Sequence, residues 1–355
     1  MKKALITPLY WGLGHATRCI PLIQGLLEHG FEVIIASDGQ ALTLLKLEFP
    51  ALRALELPGY NIVYKSENML WNMFLLTPDV LKAIRKEKKI VDKIVAEYQV
   101  DIVISDNRYG CYSKYCKNIF ITHQIQIQTG NRLGNWIAEK VNRFLLSKFQ
   151  KLWIPDVENI VNLSGILSHG IGQFNLPISY IGILSRLKEP DSLSGKSVLV
   201  ILSGPEPQRR IFEQKIREQI INLNYPVIIV RGVMKGKLEA RQEGNTTIYD
   251  YADSARLNTL LNDALVVVSR CGYTTVMDLV ITKRKALLVP TPGQTEQIYL
   301  AQHLNESGIF AFQTQKDFDL KSGIAKALSK NSINIGGAHS LKTAISELYE
   351  ELNSK

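Results

Sequence analysis

Residues 264–297 read ALVVVSRCGYTTVMDLVITKRKALLVPTPGQTEQ. Val266 to Ser269 is a short apolar run, the pattern of a parallel strand buried on both faces. Cys271-Gly272-Tyr273-Thr274-Thr275 interrupts it. Val276, Leu279 and Val280 then share one helical stripe, which predicts a helix starting near Thr274. A strand, a glycine turn and a helix N-terminus make an anion site, because first-turn N–H groups point outward and the helix dipole favours negative charge. Asp278 falls about one turn into that helix, where a carboxylate can accept hydrogen bonds from sugar hydroxyls. A second apolar run, Ala286 to Val289, ends in Pro290-Thr291-Pro292-Gly293, and Gln294, Glu296 and Gln297 follow. Two neighbouring strand ends would thus present amides, a carboxylate and carboxamides at one edge, a set suited to a phosphorylated sugar. The competing reading is an ordinary strand, turn and capped helix. Two correctly spaced halves weigh against it.

The same grammar recurs at the N-terminus. Lys3 to Leu9 predicts a strand, and Tyr10-Trp11-Gly12-Leu13-Gly14-His15-Ala16-Thr17-Arg18 follows. Ala16, Ile20, Ile23 and Leu27 then repeat at helical spacing, Gly30 is a stop, and Phe31 to Ser37 is the next strand. The turn lacks the third glycine of a dinucleotide fingerprint, so NAD binding is not read from it.

These stretches resemble a family. SRCGYTTVMDLV…ALLVPTPGQTEQ resembles the donor site of the glycosyltransferases related to the bacterial lipid II N-acetylglucosaminyltransferase, and GLGHATR resembles their first loop. The resemblance implies the GT-B fold: α/β, with two Rossmann-like domains facing across a cleft and a C-terminal helix crossing back to the first. It also implies inverting, metal-independent transfer of a hexose or N-acetylhexosamine from a UDP-sugar to an acceptor hydroxyl, lipid-linked or on a cell-envelope glycan. In that family a Gly-x-x-Thr turn meets the diphosphate, an acidic residue six positions after the glycine holds the ribose, and a Gln after the next strand holds the sugar. Gly272, Thr275, Asp278 and Gln297 stand at those places, with Asp278 where the family usually has Glu. Arg270, Tyr273, Thr274, Gln294 and Glu296 are expected around them, and the backbone of Gly12 and Gly14 is expected near the donor sugar and phosphates.

His15 lands on the family's cleft-facing His. A neutral imidazole can take a proton near neutral pH, so His15 is the expected base on the acceptor hydroxyl, or else a donor that orients the sugar. Asp106 is the second candidate base; with Arg108 it forms an ion pair on the alternative reading. Arg18 either meets phosphate or is a solvated helix charge. Asp101 to Ser105 and Asn118 to Thr122 predict strands whose carboxyl ends carry Asp106, Arg108, His123 and Gln124, the expected acceptor side. This chain lacks the Asn of the family's His-Glu-Gln-Asn. Arg186 resembles the end of an interdomain Gly-Asn-Pro-x-Arg. Ser203 and Gly204 follow the strand Ser197 to Leu202 and are expected at the donor, with Pro205 and Pro207 in place of glycines and Arg209 to supply charge. Backbone near Tyr251 is expected to meet the nucleobase.

The chain has 355 residues, 46% hydrophobic and 21% charged, which suits two globular domains. The expected division is residues 1–185, with 338–355 packing back on them, and residues 186–337 as the nucleotide-sugar domain; Pro190 to Lys196 has linker composition. The N-terminal apolar run is too short for a signal peptide, and no apolar run approaches the roughly 20 residues of a membrane span. Cys19, Cys111, Cys116 and Cys271 show no metal-type spacing and fit a reduced cytoplasm. Neither a metal nor a cofactor is expected, with a UDP-sugar as donor substrate. The net charge of +9 favours an anionic partner, and no RNA-recognition or zinc pattern points to nucleic acid. Met69 to Leu76 is apolar and precedes the basic run Lys82 to Lys89. Peripheral docking on the anionic inner face of the plasma membrane is one reading; a buried helix pair with a solvated basic face is preferred, because Leu81, Ile84, Val91 and Ile94 form a core stripe. Two rival functions share these motifs: a UDP-sugar epimerase of the same fold and a non-catalytic nucleotide-sugar-binding protein.

Overall fold

The computed structural model describes residues 1–59, 78–129, 132–172, 174–190, 195–221, 223–233, 239–331, 335 and 340–354. The apolar run 69–76 and residues 191–194 of the expected linker lie outside the described residues. The chain divides into two units, Met1–Ser185 with Gly336–Lys355, and Arg186–Ile335.

The first unit runs β1 (Lys3–Pro8), α1 (Gly14–Glu28), β2 (Glu32–Ser37), α2 (Gly39–Glu48), β3 (Arg53–Glu56), α3 (Pro78–Tyr98), β4 (Ile102–Asp106), β5 (Lys117–Ile121), α4 (Arg132–Leu146), β6 (Lys151–Ile154) and β7 (Ile178–Tyr180). The sheet is parallel in the order β3-β2-β1-β4-β5-β6-β7. Its order reverses between β1 and β4, the switch point where open α/β sheets bind ligands. Pro8 pairs in register with Asp106 there, so the turn after β1 and the end of β4 share one edge. The apolar run Ala4-Leu5-Ile6 is buried on both faces because helices cover both. Leu5, Ile34 and Val103 pack with Val91, Ile94 and Val95 of α3. Phe120, Leu152 and Ile154 pack with Ala138, Leu145 and Leu146 of α4. Of the stripe read in residues 81–94, Ile84, Val91 and Ile94 are buried in the core, whereas Leu81 is exposed. The sequence reading did not anticipate α4. The signal was present: its apolar residues at 133, 136, 137, 141, 144 and 145 share one broad side of the helix.

The second unit runs β8 (Ser197–Ile201), α5 (Gln208–Ile220), β9 (Val227–Val230), β10 (Arg241–Glu243), β11 (Thr246–Tyr249), α6 (Ser254–Asn262), β12 (Ala264–Ser269), α7 (Tyr273–Ile281), β13 (Ala286–Leu288), α8 (Thr295–Glu306), β14 (Ala311–Phe312) and α9 (Leu320–Leu328). The order is β10-β11-β9-β8-β12-β13-β14, parallel except for β10 against β11. β10 reads Arg-Gln-Glu and is fully exposed, so no apolar alternation announced it. Val198, Val200, Val266, Val268 and Leu287 meet Phe212 and Ile216 of α5 and Ile324 and Ala327 of α9. Each such burial stabilises by roughly 1.5–3 kcal/mol. The switch point lies between β8 and β12.

The last helix, α10 (Leu341–Asn353), packs on the first unit. Gly25 of α1 permits the contact, since a Cβ there would stand 2.8 Å from Ile345 Cδ1. Phe31 meets Tyr349 edge to face at 5.4 Å, and Lys117 pairs with Glu351.

Candidate active site

In the first unit, five side chains meet at the β1/β4 switch point. His15 is the second residue of α1, and Arg18, three residues on, shares its helix face. Both reach Asp106 at the end of β4. His15 Nδ1 lies 3.0 Å from Asp106 Oδ1. Arg18 Nε donates to Asp106 Oδ2 at 2.6 Å, and Arg18 Nη2 donates to Oδ1. Cys19 Sγ lies 3.6 Å from Oδ2, and Arg18 Nη1 lies 3.4 Å from His123 Nδ1. Arg18 and Asp106 are each 1% exposed, whereas the His15 side chain is 13% exposed.

Electrostatics follow from this arrangement. Burial alone would raise the Asp106 carboxyl, but the Arg18 guanidinium and His15 outweigh it and hold it well below the usual carboxylate range. An ionised Asp106 can only accept, so His15 carries its proton on Nδ1 and leaves the Nε2 lone pair as a proton acceptor. Burial, then Arg18, lower the imidazole below its ordinary value, and Asp106 pulls the other way. His15 is therefore held neutral, oriented and partly open.

Several expectations change here. Asp106 is not a base: both oxygens are occupied, and a carboxylate held this acidic has little proton affinity at neutral pH. Arg18 is neither a phosphate contact nor a solvated charge, because it is buried against Asp106. The Asp106–Arg108 pair is absent. Arg108 is buried on Glu87 and Asp38 and donates to Pro58 O, so it braces α3 against the carboxyl edge and is not open to an acceptor. His123 and Gln124 lie at the end of β5, both buried, and Gln124 N–H donates to Thr122 Oγ1 at 3.0 Å.

In the second unit, Gly272 caps α7, whose first turn holds Tyr273, Thr274 and Thr275. Gly272 has φ −77°, ordinary for any residue, and a Cβ would meet only Thr275 Oγ1 at 3.8 Å. Neither backbone conformation nor packing demands glycine here. Gly204 is different, with φ +97° in the left-handed region and an added Cβ 3.5 Å from Thr291 Oγ1. The loops after β8 and β13 therefore meet. Thr291 Oγ1 and Ser269 Oγ, at the carboxyl ends of β13 and β12, are buried and have no hydrogen-bond partner among the described residues. Buried hydroxyls are normally paired, so these two mark a place for added polar atoms. The sequence reading missed both; Ser269 as the last residue of β12 and Thr291 three residues past β13 were the available signal.

Gln297 Oε1 accepts from Thr291 N–H at 2.9 Å. Asp278 sits half-buried in the second turn of α7, and Glu296 and Gln294 open α8. Ser203 is exposed beside Gly204, and Arg186 and Tyr251 are half-buried. The Tyr273 side chain is buried. Arg270 is a correction. Its side chain is buried, donates to Val289 O, Pro290 O and Gln208 O, and lies over the Phe212 ring at 4.3 Å. Burial pulls it down to about 10. It ties β12 to the neighbouring loops and does not face a donor. Arg209 is engaged by Glu206 and Glu213. Among the described residues no cluster of His, Cys, Asp and Glu could hold a metal ion, and no helix is long and apolar enough to cross a membrane.

Residues 206–348 match the glycosyltransferase family 28 C-terminal domain. The chain is 23% identical over 347 residues to the UDP-N-acetylglucosamine–N-acetylmuramyl-(pentapeptide) pyrophosphoryl-undecaprenol N-acetylglucosamine transferase of Sulfurihydrogenibium sp., covering 93% of this chain and 91% of that protein. It is 24% identical to the enzyme of that name from Listeria monocytogenes, covering 79% and 77%. Among solved structures, the Streptomyces nogalater glycosyltransferase SnogD superposes with TM-score 0.65 at 12% identity over 99% of both chains. Acinetobacter baumannii MurG superposes with TM-score 0.55 over 100% of both. The shared fold is GT-B.

Proposed function

We propose that this chain, a GT-B glycosyltransferase with a family 28 C-terminal domain, moves a hexose or N-acetylhexosamine from a UDP-sugar to the hydroxyl of a lipid-linked acceptor, with inversion and without a metal. The observation that carries this reading is the His15–Asp106 pair at a sheet switch point, with Nε2 free of the carboxylate. In this account His15 Nε2 takes the acceptor O–H proton, and the oxygen attacks the anomeric carbon from the face opposite the diphosphate. The bond from that carbon to phosphate oxygen breaks, and UDP leaves with the electron pair. Asp106 steadies the imidazolium that forms.

The second unit supplies the donor side. The α7 N-terminus at Gly272–Thr275, with Ser203, Gly204 and the unpartnered hydroxyls of Ser269 and Thr291, meets the diphosphate charge through dipoles and hydrogen bonds. Asp278 takes the ribose hydroxyls, Gln297 the sugar, and backbone at Tyr251 the base; Arg186, Gln294 and Glu296 complete the donor set. His123 and Gln124 serve the acceptor. The named relatives act on a pyrophosphoryl-undecaprenol substrate, which supports a lipid-linked acceptor and work at the cytoplasmic face of a membrane.

The test incubates the protein with a panel of UDP-sugars and a cell-lipid extract, with and without EDTA, and follows products by mass spectrometry and the new linkage by NMR. A glycosylated lipid of inverted configuration, formed in EDTA, is expected. A new free UDP-sugar with no glycosylated lipid would make the protein an epimerase, and the absence of any turnover would leave only a binding protein.

A further inference from the structure

The carboxyl edge of the first sheet carries a second histidine on a buried carboxylate. β6 ends at Ile154, and Asp156 follows with its side chain fully buried. The chain after it folds around that carboxylate. The N–H groups of Val157, Leu163 and Ser164 donate to it at 2.8 to 3.2 Å, and Ser164 Oγ donates at 2.5 Å. His169 Nε2 lies 3.2 Å from Asp156 Oδ2, and the His169 ring stacks on Tyr180 of β7 with centroids 4.6 Å apart. Tyr180 Oη donates to Ser168 O at 2.7 Å. The ring is thus fixed by its edge and by one face, yet the side chain is 18% exposed. Nδ1 has no hydrogen-bond partner among the described residues.

This turn belongs to the edge that holds His15. Leu167 O accepts from the N–H groups of Ile125 and Gln126 at 2.8 and 2.9 Å, directly after His123 and Gln124. β4, β5 and β6 are neighbours, so His15–Asp106, His123 and His169–Asp156 succeed one another at their carboxyl ends.

The two pairs differ in the third partner. Asp106 has the Arg18 guanidinium, and His15 is held neutral. The other donors to Asp156 are neutral, so among the described residues His169 is the one group bound to it that can carry positive charge. Burial would raise the Asp156 carboxyl, but the His169 bond, then those from Ser164 and Leu163, outweigh it and keep it ionised. A buried carboxylate is best met by a cation. A second proton on the imidazole supplies one and makes Nδ1 a charged donor pointing away from Asp156. Such a donor suits an anion. The arginines of this edge are already engaged, Arg18 on Asp106 and Arg108 on Glu87 and Asp38.

We propose that His169 Nδ1–H, backed by Asp156, donates to a phosphate oxygen of the acceptor. That the phosphate belongs to an acceptor rests on the transfer reading above; the anion site itself does not.

The test uses the full chain saturated with UDP, so that the diphosphate site of the second unit is filled, and inorganic pyrophosphate as the probe. Calorimetry should show pyrophosphate binding that His169→Gln weakens by about tenfold or more, at an unchanged melting temperature. In nitrogen-15 histidine spectra, the His169 Nδ1 signal should move to that of a protonated, hydrogen-bonded nitrogen as pyrophosphate is added. In transfer assays the same variant should raise KM for the acceptor and leave kcat and UDP affinity unchanged. No pyrophosphate binding by the wild type, equal binding by the folded variant, or an Nδ1 that stays unprotonated at saturation would overturn the proposal. A wild type that transfers no sugar yet binds pyrophosphate through His169 would uphold the anion site and sink the transfer reading alone.

Discussion

Arg18 and Asp106 form a two-pronged ion pair, each 1% exposed, with Arg18 Nε 2.6 Å from Asp106 Oδ2. That pair sets the chemistry of the histidine bound to the same carboxylate. Asp106 by itself pulls the His15 imidazole upward. Arg18 cancels that field and, after burial, lowers the imidazole.

The pH profile should report this. His15 acts as a base only when neutral, so activity falls as pH drops through its pKa. With that value lowered, the acid limb of kcat/KM should lie below the ordinary 6.5. Arg18→Gln removes the cation and leaves Asp106 acting alone, so the limb should move to higher pH by about one unit or more. A limb that stays put in the folded variant would show that Arg18 does not tune His15.

Much of this site was legible in the chain. A buried parallel strand needs an apolar run, and a glycine marks the turn that follows each one, so Val266–Gly272 and Leu5–Gly14 announced themselves. The partners of charged residues did not. Asp106 and Arg108 are two apart in sequence, yet the carboxylate points to α1 and the guanidinium to Glu87 and Asp38. Which of two adjacent charges faces the ligand is fixed by packing across helices that local spacing does not encode. Arg18 had a local signal, three residues after His15 on one helix face, but its burial arises only from the β1–β4 pairing.

Gly272→Ala separates fold from function. The φ is permitted and the added methyl meets only Thr275 Oγ1 at 3.8 Å. Thermal stability should change by less than about 0.5 kcal/mol, while UDP affinity falls about tenfold or more from a methyl placed in the path of phosphate. Calorimetry with UDP and a melting curve on the same sample decide it; intact affinity would remove the diphosphate from this turn.

Asp278→Ala should weaken UDP by roughly 1.5–3 kcal/mol, about tenfold to a hundredfold, through lost hydrogen bonds to ribose. Affinity for UDP within a factor of two of wild type (roughly 0.4 kcal/mol) would end the ribose assignment.

Arg108→Gln strands Glu87 and Asp38 without their cation. A loss of roughly 3–5 kcal/mol in urea unfolding is expected for a broken buried pair, with KM for the acceptor unchanged in the protein that remains folded. A raised KM at wild-type stability would return Arg108 to the acceptor side.

The central claim is that His15 removes the acceptor proton. His15→Ala should lower kcat by on the order of 10²–10⁴-fold, with UDP and UDP-sugar affinities unchanged, because a base acts on a proton that moves only in the transition state. The direct measurement is single-turnover transfer by this variant alongside calorimetry with both ligands. Turnover near that of the wild type, or a drop explained wholly by weaker UDP-sugar binding, would contradict the account.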